Sequence, residues 1–272
     1  MSSFILITDA HIVAEGELAY GRSDTAAALV SAVSSVNERL VLLDDVDVVI
    51  VTGDLTDHGS EEEYERFKSI MSDLRLPYLA VPGNHDRRET MRAAFAGTDW
   101  MPASGPIQWR RDLEAFTLIG LDTLLEGSHH GDLSTEGLAF VDEALAELDG
   151  QPVVVATHHP WMHTGMRAMD ANNLRNGDQL LQRLESYPGT ARMVSGHVHR
   201  ALTTQLGNVT CQVAPAPCHA VHLDHREAVD QTFTFEPGAI TLFTWQQGPV
   251  RNLVSDVVPL GRIEGPWPFS LS

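Results

Sequence analysis

Basic residues are scarce in this chain: 18 Lys and Arg stand against 37 Asp and Glu, a formal net charge of −19. So acidic a balance excludes a general affinity for the phosphate backbone of nucleic acids. It also opposes small anions, unless bound cations reverse the sign of the field locally. Cysteine is nearly missing. Cys211 and Cys218 are too few for a disulfide framework, and two reduced thiols in a cytoplasmic protein are the expectation. No apolar run approaches the roughly 18 residues of a membrane span. The opening MSSFILITDAH has no basic region and its apolar run is cut by Asp9, so no secretory leader is expected. Internal repeats, low-complexity stretches, a Gly-rich nucleotide fingerprint and a Ser-His-Asp arrangement are lacking as well.

What is present is an ordinary globular composition, 43% apolar over 272 residues, long enough to bury about three quarters of the unfolded surface. Up to about Arg200 strands and helices alternate. Strands are predicted at Phe4–Thr8, Val46–Thr52, Pro152–Thr157 and Ala191–Ser195, with helices at Thr25–Leu43, Glu61–Leu74, Thr135–Leu148 and Asp178–Ser186. Ser60 followed by Glu63 has the spacing of a capping box, and Glu61-Glu62-Glu63 suits a helix N-terminus. Alternation of this kind argues an α/β fold with largely parallel pairing. Gln108–Asp122 breaks the pattern and reads as a hairpin, which implies a second sheet and a layered sandwich. After His199 the helices stop. Leu202–Leu206, Val209–Val213, Ala220–Leu223, Gln231–Phe235 and Ala239–Gln246 read as short strands of a β-rich extension that completes the second sheet, covers the site or pairs with a partner chain. The tail Glu264–Phe269 is expected as an ordered strap with docked aromatics.

Five short fragments carry the chemistry: Asp9-Ala10-His11, Gly53-Asp54, Gly83-Asn84-His85-Asp86, His158-His159 and Gly196-His197-Val198-His199. Each follows an apolar, strand-like run, so five strand ends deliver carboxylate, imidazole and amide groups to one sheet edge, where α/β folds place ligands. A carboxylate in a tight turn, Asp54, can bridge two cations. Imidazole, carboxylate and amide oxygen in the outer positions suit Mn, Fe, Zn or Co rather than Ca. The i, i+2 spacing of Asp9/His11 and of His197/His199 lets one loop supply two ligands, and Gly53, Gly83 and Gly196 are expected to permit unusual backbone angles.

The set D-x-H, GD, GNHD, HH and GHVH resembles the calcineurin-like metallophosphoesterase superfamily. GDLTDHG, VPGNHD and HHP are similar to its class III cyclic nucleotide phosphodiesterase and glycerophosphodiesterase branch, and the likeness runs through GMRAMDANNLRNGDQLL to GPW. The resemblance implies a layered αββα sandwich, with a catalytic core over 1–200 and the β-rich extension over 201–272. It implies two divalent metal ions, one held by Asp9, His11, Asp54 and His199. The other is held by Asp54, Asn84, His158 and His197. His85 then faces the substrate phosphate with Asp86 orienting it. Ala10 and Trp161 depart from the family, which has Ser or Thr at the first position and Pro at the second, and Trp161 is expected to reshape the pocket. The resemblance also places His219 near the substrate.

The expected activity is hydrolysis of small phosphodiesters, glycerophosphodiesters or 3′,5′-cyclic nucleotides, by a metal-bridging hydroxide, since two cations draw the pKa of water from 15.7 to near 7. The alternatives are a phosphomonoesterase, a broad phosphonate or organophosphate diesterase, and a scaffold without catalysis. A homo-oligomer, a dimer or an assembly of dimers, is expected; neither nucleic acid nor membrane is expected as a partner. Asp57 is read as a partner of a ligating imidazole or as a turn residue, and His159 as structural. His163, His222 and His225 are read as surface or interface histidines, and His129-His130 as solvated.

Overall fold

A computed structural model describes residues 2–43, 46–226, 230–248 and 251–269. Its first sheet contains β1 (Ser3–Ile7), β2 (Val46–Thr52) and β3 (Tyr78–Val81), paired in parallel. The elements between them are α1 (Thr25–Arg39) and α2 (Glu61–Met71). Asp24 caps α1 by accepting from the Ala27 N–H. The Ser60/Glu63 capping box opens α2 as its spacing predicts. A short α3 (Arg88–Ala94) follows β3, and then comes the hairpin of β4 (Trp109–Asp112) and β5 (Thr117–Gly120).

The second sheet grows from that hairpin. Next come α4 (Thr135–Glu147), β6 (Val153–Ala156), α5 (Arg167–Asp170), α6 (Gly177–Ser186) and β7 (Ala191–Ser195). Strands β5, β6 and β7 run parallel. The remainder is β8 (Leu202–Leu206), β9 (Val209–Val213), β10 (Ala220–Val221), β11 (Phe233–Thr234), β12 (Ala239–Gln247) and β13 (Arg251–Pro259). Sheet order is β13-β12-β1-β2-β3 for the first sheet and β4-β5-β6-β7-β9-β8 for the second, with β10-β11 as a separate ribbon.

The extension therefore divides its strands. β8 and β9 lengthen the second sheet. β12 pairs antiparallel with β1, Phe4 opposite Phe243, and carries β13 at the outer edge of the first sheet. The inner faces of the two sheets meet in one apolar cluster. Phe4 stacks on Phe243 with ring centroids 4.5 Å apart and lies 5.8 Å from Phe116, and Val154 and Val194 of the second sheet join it. Leu29, Val33 and Val36 of α1 and Tyr64 and Phe67 of α2 bury the other face of the first sheet. Val141 and Ala144 of α4 and Leu180 and Leu184 of α6 bury that of the second. The layers run α, β, β, α.

Three elements escaped the sequence pattern: α3, α5 and β13. In the tail, Trp267 and Phe269 lie exposed on this chain.

Candidate metal centre

The parallel strands end at a common edge, and the chain turns sharply there. Asp9 and His11 follow β1, Asp54 follows β2, Asn84 and His85 follow β3, His158 follows β6, and His197 and His199 follow β7. Asp9, His11, Asp54, His197 and His199 all adopt left-handed φ values, between 44° and 70°. Non-glycine residues in that region carry strain that persists where a site needs it. Gly53, at φ +90°, takes the turn before Asp54. Gly83 and Gly196 have no positive φ; they serve close approach instead. A Cβ on Gly83 would run into Asp54, and one on Gly196 would meet Thr8 Oγ1 and lie 2.6 Å from Asp9 Oδ2.

The hydrogen bonds fix which atoms face inward. His11 Nδ1 donates to Asp57 Oδ1 at 2.9 Å, His158 Nδ1 to the Thr52 carbonyl at 2.8 Å, and His199 Nδ1 to the His219 carbonyl at 3.0 Å. With Nδ1 so engaged, Nε2 is the atom each ring turns to the cluster, free to ligate when unprotonated. Those atoms converge. His11 Nε2 lies 3.2 Å from His199 Nε2 and 3.5 Å from Asp54 Oδ2. His158 Nε2 lies 3.1 Å from Asn84 Oδ1, 3.2 Å from His197 Nδ1 and 3.3 Å from Asp54 Oδ2. Asp9 Oδ1 is 3.2 Å from His199 Nε2. Ring nitrogens and carboxylate oxygens held at such distances, out of water, call for positive charge shared between them. Asp54 Oδ2 is shared by the two halves of the cluster, so a divalent metal centre fits these residues. Asp9 is held from behind by the Thr8 hydroxyl at 2.7 Å and by the His197 N–H at 3.0 Å.

Electrostatics agree with the geometry. Burial lowers His11, and burial together with His158 takes His197 down to about 3, so both stay neutral and able to ligate. Burial raises Asp9 and Asp54, but the surrounding imidazoles, His199 foremost for Asp9 and His158 for Asp54, outweigh it and hold both carboxyls well below their usual range. Burial also lowers His158. Asp54 and Asp9 overcome this and lift it to about 9, a measure of how strongly the site calls for positive charge.

Around this core the expected residues divide. His85 lies beside the cluster, its backbone N–H donating to Asp54 Oδ1 at 2.9 Å and its Nδ1 to the Asp57 carbonyl at 2.8 Å. Burial lowers its imidazole, but Asp54 and Asp57 outweigh that and raise it. Asp86 does not orient His85. Its carboxylate accepts from the N–H groups of Gly83, Leu55 and Thr56 and from the hydroxyls of Thr56 and Tyr64, lacing two turns together. Asp57, whose carboxylate bonds His11 and whose carbonyl bonds His85, does the orienting. Trp161 does not line the cleft; it packs over Gly177, where a Cβ would lie 2.6 Å from its Cγ. His219 does line the cleft, is buried, and meets Ser23 Oγ through Nδ1 at 3.2 Å. Burial and its imidazole neighbours take it down to about 3.

His159 is buried with Nδ1 on Thr123 Oγ1 at 2.8 Å, and burial holds it neutral. His163 is exposed, whereas His129 is exposed at the cleft itself. Cys211 and Cys218 are free thiols. Sequence reasoning missed Tyr20 and Phe233, which line the cleft from a loop and a two-residue strand; neither sits in a motif that signals chemistry.

A two-sheet α/β sandwich whose strand ends pool imidazoles and carboxylates defines the dimetal phosphoesterase class. Residues 2–201 match the calcineurin-like phosphoesterase family, and the chain belongs to that family. It is 33% identical over 266 residues, 97% of this chain and 96% of the relative, to a probable glycerophosphodiester phosphodiesterase GpdQ of Arcobacter nitrofigilis. It is 35% identical over 224 residues, 81% of this chain and 80% of the relative, to a probable cyclic nucleotide phosphodiesterase of Rhodopseudomonas palustris. Its fold is similar to that of a dimetal phosphatase from Danio rerio, with TM-score 0.63, 15% identity, and coverage of 95% of this chain and 99% of that one. Among the described residues no helix is long and apolar enough to cross a membrane.

Proposed function

We propose that this protein is a dinuclear metal-dependent phosphodiesterase that hydrolyses small phosphodiesters, glycerophosphodiesters or 3′,5′-cyclic nucleotides. The observation that carries the reading is the convergence of the His11, His199, His158 and His197 ring nitrogens around Asp54 Oδ2, which both halves of the cluster share. Asp9, His11, Asp54 and His199 would hold one ion and Asp54, Asn84, His158 and His197 the other, with Mn, Fe, Zn or Co suited to the mixed donors. When bound, such ions neutralise phosphate charge and make water acidic enough to attack near pH 7. They also answer the repulsion expected from a chain of net charge −19.

The chain's own contribution is positioning. The Asp57 carbonyl accepts from His85 Nδ1, which leaves Nε2 to hydrogen-bond a phosphoryl oxygen or to protonate the departing alkoxide. Asp54 and Asp57 raise the His85 imidazole, favouring the donor form. Help of this kind is worth about 10²–10⁴-fold in rate. The free thiols support a cytoplasmic location. The open edge of β13, with Val254 and Val257 exposed, supports a dimer or an assembly of dimers.

The test is hydrolysis of bis(p-nitrophenyl) phosphate beside p-nitrophenyl phosphate by the Mn²⁺-loaded protein. Preference for the diester is expected. Preference for the monoester would overturn the substrate class, and silence on both would overturn the enzyme.

A further inference from the structure

The metal ligands account for one end of the cleft. The cleft as a whole encloses about 430 Å³, in the range of sites for small organic molecules, and away from the ligands its lining is of another kind. Tyr20 and Phe233 lie side by side there, ring centroids 5.4 Å apart and tilted 39°. Both touch His219, at 5.4 Å and 5.1 Å, and His219 in turn lies 4.8 Å from the His199 ring. Aromatic surface thus runs without a break from a ligand imidazole to Phe233. Val221 and Met169 widen the apolar part, and Asn172 and Gln231 add two carboxamides. Among the described residues the lining holds no carboxylate other than Asp54.

Tyr20 is held there at a conformational cost. It sits at φ +52° in a turn closed by reciprocal Ala19–Ser23 backbone hydrogen bonds of 2.9 Å each. A bulky residue is uncommon in that region, and such strain gathers at ligand-binding positions. Phe233 is fixed from the other side of the chain, since its two-residue strand pairs with Val221. Tyr20 as a residue is nonetheless 48% exposed while lining the cleft, so it stands open to whatever enters.

Aromatic faces bind planar rings by offset stacking, with little regard to which base is offered. Carboxamides match the donor and acceptor edge of a nucleobase. Glycerol and ethanolamine substituents have neither a flat face nor such an edge. A quaternary ammonium is recognised by a surrounding aromatic cage, whereas Tyr20 and Phe233 touch each other on one side of the cleft and His219, edge-on to Tyr20 at 89°, closes only its corner towards the ligands. We propose that Tyr20 and Phe233 form the wall on which the nucleobase of a 3′,5′-cyclic nucleotide stacks, so that this class is preferred over glycerophosphodiesters. The inference rests on the phosphodiesterase reading and narrows it.

The experiment compares kcat and KM of the Mn²⁺-loaded protein for 3′,5′-cyclic AMP, glycerophosphoethanolamine and glycerophosphocholine, and measures the Kd for AMP by calorimetry. The wild type is expected to favour the cyclic nucleotide in kcat/KM. Phe233→Ala and Tyr20→Ala should each cut that preference about tenfold, chiefly through KM, and weaken AMP by a similar factor, the range a stacked base supplies. Phe233→Tyr should retain both, which guards against a variant that merely misfolds. Preference for either glycerophosphodiester, or equal losses on all substrates with the AMP Kd unmoved, would overturn the wall. If no diester at all were hydrolysed, the phosphodiesterase reading would fall separately. The AMP titration would still decide the wall, its weakening in Phe233→Ala supporting it and an unchanged Kd overturning it.

Discussion

His11 Nδ1 donates to Asp57 Oδ1 at 2.9 Å, and this contact decides which nitrogen of His11 faces the metal centre. A carboxylate accepts and cannot donate, so the proton sits on Nδ1 and the lone pair on Nε2. Asp57→Asn keeps the shape but offers an amide whose N–H₂ can force the other tautomer. The expected result is a loss of about 10–100-fold in metal affinity, the usual cost of removing such an outer partner. Titration with Mn²⁺ followed by calorimetry measures it, with circular dichroism to confirm the fold.

Asp86 makes a different prediction because its carboxylate serves backbone and hydroxyl donors, not His85. Asp86→Ala leaves the N–H groups of Gly83 and Leu55 and the Tyr64 hydroxyl buried without acceptors. Each stranded group costs about 1–3 kcal/mol, so a loss of at least about 3 kcal/mol is expected in urea unfolding. A variant whose midpoint is unchanged would show that the Gly53–Thr56 and Gly83–Asp86 turns do not depend on one another.

The contrast between Asp57 and Asp86 shows where the sequence stopped being legible. Motif adjacency put Asp86 beside His85, but side chains of consecutive residues diverge, and the partner of His85 comes from the neighbouring loop. Apart from the short α3 and α5, the strands and helices up to Ser195 were legible because their apolar runs and caps are local. β13 was not: RNLVSDVVP lies on a sheet edge and needs no continuous apolar run. Nor was the pairing of β12 with β1, which joins residues 3–6 to 241–244; nothing local to either segment specifies the other. Tyr20 and Phe233 stayed invisible for the same reason, since a cleft wall assembled from distant loops has no spacing.

The cysteines give a pH-dependent prediction. Burial pushes the Cys211 thiol up to about 11 and, more strongly, Cys218 up to about 12. At pH 8 the native thiolate fraction is then smaller than in an unfolded chain, where thiols titrate near ~8.5. Alkylation by iodoacetamide at pH 8 should be at least about 100-fold slower in the native protein than in guanidinium. The sign for stability follows. Folded values lie above unfolded ones, so the contribution is complete below about pH 8.5 and is lost as pH rises towards the folded values. Rapid labelling of native protein at pH 8 would contradict this.

Gly196 offers a test of close approach. Gly196→Ala would drive a Cβ into Thr8 Oγ1 and Asp9 Oδ2, both packed against strand ends. Overpacking of this kind costs about 1–3 kcal/mol, and the displaced Asp9 should also weaken metal binding. Thermal unfolding and metal titration should therefore both move.

The central claim is that one carboxylate, Asp54, joins two cations. Metal stoichiometry tests it most directly, by elemental analysis of protein loaded with Mn²⁺ and then freed of excess. Two ions per chain are expected for the wild type, two for His85→Ala with greatly reduced turnover, and none retained by a folded Asp54→Ala variant. One ion per wild-type chain, or metal lost from His85→Ala, would contradict it.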